Sequence, residues 1–131
     1  MQVVRLLPPL AVMVLIFLLS HQSGDDLPPL FPHFDKIAHF SIYGLLAATV
    51  IGACRPEMRR RRPGAVVLCA VLCCLVYGIS DEFHQSFIPG RSPSVADVVA
   101  DIFGALSVAL AWLLLPVFRS GRRTAPGGRA D

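Results

Sequence analysis

Residues 80–104 read SDEFHQSFIPGRSPSVADVVADIFG and carry Asp81, Glu82, His84, Gln85, Arg91, Asp97 and Asp101. An upstream stretch, DKIAHFSIY (35–43), supplies Asp35, Lys36, His39 and Tyr43. Histidine exchanges protons near neutral pH. Carboxylates crowded together cannot all ionise, so one keeps its proton and can serve as acid or base. On that chemistry His39, Asp81, His84 and Asp101 are the candidate catalytic residues. Arg91, in a Pro-Gly-Arg turn, offers a guanidinium fork for phosphate or carboxylate. With Asp35, Lys36, Tyr43, Glu82, Gln85 and Asp97 it forms the candidate substrate-binding set. A divalent metal ion is a variant of the same site, with His39, His84, Asp81, Asp97 and Asp101 as candidate ligands. Such an ion would relieve the crowding of acids, although no HExxH-type spacing occurs.

The elements that hold these groups are apolar. The chain has 131 residues, 54% hydrophobic and 16% charged, with a mean hydropathy of +0.61. A soluble domain carries charge on about a quarter of its residues, so this composition points to a membrane protein. Apolar runs cover 3–19, 37–54, 65–79 and 95–118. The third extends through residue 87 if the polar groups at 81–85 are tolerated. In a bilayer each run must be a helix, because a helix satisfies its own backbone groups. The expected fold is all-α: a polytopic membrane bundle of four transmembrane helices over 1–118. Residues 119–131 form a basic, Gly-rich tail read as disordered and cytoplasmic. The first run reads as an uncleaved anchor, since no small-x-small cleavage pattern follows it.

The connections are polar. Residues 55–64 read as a basic turn and 87–93 as a short turn around Pro-Gly. Ser94 reads as an N-cap with Asp97 in the first turn of the fourth helix. The cysteines Cys54, Cys69, Cys73 and Cys74 lie in or at the ends of apolar runs and read as small buried hydrophobes.

Of the twelve Lys and Arg, all but Lys36 and Arg91 fall on one side if four helices alternate direction. Positive charge stays cytoplasmic, so both termini are expected inside. Every acid except Glu57 and Asp131, and every histidine, then falls on the outer side. Asp35, His39 and Tyr43 follow i, i+4, i+8 spacing. Asp81, His84 and Gln85 follow i, i+3, i+4, and Asp97 and Asp101 follow i, i+4. Each set shares a helix face. A charge at such depth costs at least ~2.5–3.5 kcal/mol in lipid, so these faces should meet in a common pocket. Glu82 is turned about 100° from Asp81 and ranks below it.

The stretches DKIAHFSIYGLL (35–46) and SDEFHQSFIPGRSPSVADVVADIFGAL (80–106) resemble the VanZ-like family of small bacterial membrane proteins. The family pattern is Asp-Lys-x-x-His-Phe, then Asp-Glu-x-His-Gln-x-Phe-x-Pro-Gly-Arg, then Asp-x-x-x-Asn. Asp101 stands here where that pattern has Asn. The resemblance implies an integral protein of four to five helices, multi-pass in the bacterial plasma (inner) membrane. It also implies a link to the cell envelope, since the founding member is associated with resistance to glycopeptide antibiotics, notably teicoplanin.

Two function classes follow. One is a pocket at the outer leaflet that binds or acts on a lipid-linked or envelope molecule. The other is a non-catalytic network, with Asp35–Lys36 and Arg91–Asp97 as ion pairs, in a protein that shields or recruits a partner. A proton or ion relay is disfavoured, because the inner halves of the third and fourth helices are apolar. The expected partners are membrane lipids and a lipid-linked substrate. Arg59–Arg62 read as a topology anchor beside anionic headgroups, with no nucleic-acid role. His21 and His33 read as solvated loop residues. Gly44, Gly78 and Gly104 read as helix-packing positions, and Phe83 and Phe87 as lipid-facing.

Overall fold

The computed structural model describes residues 3–23 and 33–115. The proposed tail, with Asp25 and Asp26 from the first connection, lies outside the described residues. A 3₁₀ turn at Val3–Leu6 leads into α1 (Leu7–Ser20); then come α2 (Phe34–Ala53), α3 (Pro56–Arg61), α4 (Pro63–Gln85) and α5 (Val95–Leu114). No strand occurs among the described residues. Four helices are long and apolar enough to cross a membrane. A 20-residue helix is about 30 Å long, close to the thickness of the hydrocarbon layer.

Pro8 and Pro9 do not break α1, because N–H groups in the first helical turn have no intrahelical acceptor and no such bond is lost. The expected basic turn contains a short helix, α3. Pro56 opens it, and Glu57 in its first turn pairs with Arg60 at 3.0 Å and with Arg61. The third apolar run does extend past its uncharged part, and α4 stays helical through Asp81, Glu82 and His84 to Gln85.

The core takes Val12 and Ile16 from α1 and Tyr43, Leu46, Ala47, Val50 and Ile51 from α2. Val66, Ala70 and Cys74 come from α4, and Ala105, Ala109 and Trp112 from α5. Small residues dominate the α4 and α5 faces, as in membrane bundles, where packing rather than water exclusion joins helices. Large apolar side chains point outward instead: Phe83, Phe103 and Val76 are each more than half exposed. Of the cysteines only Cys74 is buried, whereas Cys69 is exposed on the outer surface of the bundle. The reading of all four as buried hydrophobes is corrected to that extent.

One contact fixes the working end of the bundle. A Cβ added at Gly104 would overlap the carbonyl oxygen of Phe40, so the α2 and α5 backbones touch there. His39 precedes Phe40, and Asp101 lies three residues before Gly104. The glycine contact therefore sets His39 opposite Asp101.

Candidate functional site

The start of α2, the end of α4 and the start of α5 meet at one end of the bundle, and the end of α1 joins them. Burial is deep for such polar groups. Asp101 is fully enclosed, and Asp81, Glu82, Gln85 and Asp97 are all buried. In a low-dielectric interior each such group needs a partner.

The partners divide the site into two connected halves. In the first, Lys36 Nζ bridges α2 to α5, donating to Asp35 Oδ2 at 2.8 Å and to Asp97 Oδ1. His39 Nδ1 shares a 2.9 Å hydrogen bond with Asp101 Oδ1. Glu82 Oε2 accepts the Ser94 backbone N–H at 2.6 Å. Glu82 thus caps the start of α5 from a neighbouring helix, which places a negative charge at a helix N-terminus. In the second half, Asp81 Oδ2 accepts from Tyr43 Oη at 3.5 Å and from Gln85 Nε2 at 3.2 Å. Gln85 Nε2 also reaches Ser20 Oγ of α1 at 3.3 Å.

Two oxygens break the pattern of satisfaction. Glu82 Oε1 and Asp101 Oδ2 are buried without a hydrogen-bond partner. Asp101 Oδ2 lies over Gly78, where a Cβ would come within 2.7 Å of it. His39, Glu82 and Asp97 each offer one ligand atom, and these three atoms lie within 4.8 Å of one another. Among the described residues this is the group that could hold a metal ion.

The structure thus brings together Asp35, Lys36, His39, Tyr43, Asp81, Glu82, Gln85, Asp97 and Asp101. Two predicted residues lie elsewhere. His84 stacks on Phe17 (centroids 4.7 Å apart) and on His21 (5.5 Å), with His84 Nε2 3.4 Å from His21 Nδ1. It turns toward α1, so it is not a partner of His39; His21 is exposed, as expected, and also stacks on His84. Arg91 donates to the backbone oxygens of Leu19 and Gln22, each at 3.2 Å. It satisfies carbonyls at the end of α1 instead of pairing with Asp97. Its position comes from a turn in which Arg91 N–H bonds Ile88 O at 3.1 Å and Gly90 takes φ 72°, a conformation glycine adopts freely.

Ser94 sits at the N-cap, but its side chain makes no capping bond. Its backbone N–H goes to Glu82, and Asp97 turns to Lys36. Ser20 was not among the predicted residues, and only its place at the end of the first run hinted at it. Tyr77, also unpredicted, donates to Met13 O at 2.6 Å and ties α4 to α1.

An uncharacterized protein of the fission yeast Schizosaccharomyces pombe is 32% identical over 101 residues, which is 77% of this chain and 59% of that protein. The chain therefore spans less than two thirds of that relative, and the relative is not bacterial. No solved structure matches. The VanZ/LLP1 family model matches residues 6–118, which contain all four apolar helices and every group of the polar cluster, and the chain belongs to that family of multi-pass membrane proteins.

Proposed function

We propose that the chain binds or acts on a lipid-linked or cell-envelope molecule, in a polar pocket at the outer leaflet of the plasma membrane. The observation that carries this is the pair of buried carboxylate oxygens, Glu82 Oε1 and Asp101 Oδ2, that no protein group satisfies. A network made only to hold helices gains from complete satisfaction, and orphaned oxygens subtract from it. Oxygens left without a donor on residues beside His39 suit a ligand that brings its own donors or a cation. The His39–Asp101 pair supplies the acid–base chemistry, with Asp101 holding the imidazole in one orientation.

Sidedness rests on charge. The arginines of α3 lie at the opposite end of the bundle from the clustered acids, which by the positive-inside rule directs the pocket outward and both termini to the cytoplasm. Altered tolerance to glycopeptide antibiotics is the cellular phenotype that the family resemblance attaches to this reading.

A second reading has its own support. The chain Ser20–Gln85–Asp81–Tyr43 is partnered throughout and links α1, α2 and α4. That half acts as interhelical glue.

The two readings separate in one experiment. Purified wild type, His39→Gln and Asp101→Asn are placed in nanodiscs and offered polyprenyl phosphate and phosphatidylglycerol, with retention followed by native mass spectrometry. The proposal predicts selective retention of polyprenyl phosphate by wild type, and about tenfold weaker retention by folded variants, on the scale of one lost charge-assisted bond. Equal retention by all three, or no selectivity in wild type, overturns it.

A further inference from the structure

We propose that His39, Glu82 and Asp97 form a binding centre for one divalent cation, with Asp101 as the positioning residue behind His39. This deepens the proposed function, since it places an ion in the same pocket.

The argument starts with the atoms that are already used. His39 spends Nδ1 on Asp101, Glu82 spends Oε2 on the Ser94 N–H, and Asp97 spends Oδ1 on Lys36. Each of the three is thereby gripped through one atom and keeps another: Nε2, Oε1 and Oδ2. That division is what metal sites require. A ligating histidine gives its second nitrogen to a carboxylate, and ligating carboxylates are themselves hydrogen-bonded.

The spare atom of Glu82 is an independent sign of a missing partner. The residue is 6% exposed, and Oε1 is buried with no hydrogen bond. One ligand atom from each of His39, Glu82 and Asp97 lies within 4.8 Å of the other two. Metal–ligand distances of about 2.0–2.2 Å place tetrahedral donor atoms roughly 3.4 Å apart around one ion, so a contraction of up to about 1.4 Å closes the shell.

Charge points the same way. Asp35 and Asp97 share Lys36, Asp101 pairs with His39, and Asp81 meets the neutral Tyr43 and Gln85, so the acids of the cluster outnumber its cations. One imidazole and two carboxylates neutralise a divalent ion, and an ion of that charge balances acids that the apolar bundle cannot solvate. The donor set of one nitrogen and two oxygens suits Zn²⁺ or Mn²⁺ better than a soft ion. Three protein ligands leave coordination positions open for water or for the phosphate oxygen of a ligand.

The test uses full-length protein in detergent, stripped with a chelator and titrated with Mn²⁺, with bound ion read by electron paramagnetic resonance. The expected result is one saturable Mn²⁺ per chain with electron-spin-echo coupling to a single histidine nitrogen. Glu82→Gln and His39→Gln should lose that signal. Asp101→Asn should weaken affinity by about 10–100-fold, as changes behind a metal ligand do. His84→Ala, in the separate aromatic stack, should bind as wild type does. Absence of saturable uptake, uptake without nitrogen coupling, or equal uptake by wild type and Glu82→Gln overturns the inference. The spectrum of the wild type decides even if a variant fails to fold. A chain that takes no ion but still retains polyprenyl phosphate leaves the proposed function standing without the metal.

Discussion

Asp101 is the most enclosed charge in the site, and its surroundings explain how it can be there. One oxygen meets His39, and the other lies in the space left by the absent side chain of Gly78. Gly78→Ala should displace the carboxylate and strain the His39 bond. We expect a loss of about 1–3 kcal/mol of stability from overpacking, read as a lower thermal midpoint in detergent, together with weaker ligand retention. Unchanged values for both would show that the glycine is incidental. The balance between Glu82 and His84 shows where helical spacing stops informing. Neighbours on a helix are about 100° apart, so Asp81 and Glu82 can both be buried if α4 has a helix on each side. It does: Asp81 meets Tyr43 of α2, and Glu82 meets the start of α5. His84 shares the general direction of Asp81 but falls toward α1, where Phe17 and His21 receive it. Spacing gives angles along one helix, and only the packing of neighbours says what stands at each angle.

At the scale of elements, the apolar runs located the four long helices, because length and hydropathy dominate in a bilayer. Their polar ends were harder to read. The helix α2 begins three residues before its apolar run, since Lys36 finds Asp35 and Asp97 and so can be helical at the bundle end. The helix α3 escaped attention within an arginine run, although Pro56, Glu57 and the basic last turn are start and stop signals. Ser94 and Asp97 looked like a local cap, yet both are used by other helices. Local rules yield where a tertiary partner offers a stronger, charge-assisted bond. The meeting of α2 and α5 at Phe40 and Gly104 governs the register of His39 and Asp101. Gly104→Ala pushes a methyl group into a backbone carbonyl, which cannot rotate away as a side chain can. We expect a loss of at least about 1–3 kcal/mol and a drop in folded yield, measured by size-exclusion recovery and thermal unfolding. A protein as stable as wild type would contradict the close crossing.

The whole molecule combines an apolar exterior with a polar interior at one end. Exposed Val76, Phe83 and Phe103 suit lipid, while five carboxylates gather where four helices approach. That gathering costs stability unless something else is gained, and proteins accept such costs at functional sites. The direct measurement is the thermal midpoint of Glu82→Gln against wild type in detergent with excess chelator. The amide keeps an oxygen for the Ser94 N–H and removes one of several crowded charges. If the cluster exists to hold a ligand, the variant should melt at the same temperature as wild type or higher. A clearly lower midpoint would mean that the Glu82 charge serves the scaffold, and the cluster would then be a structural network.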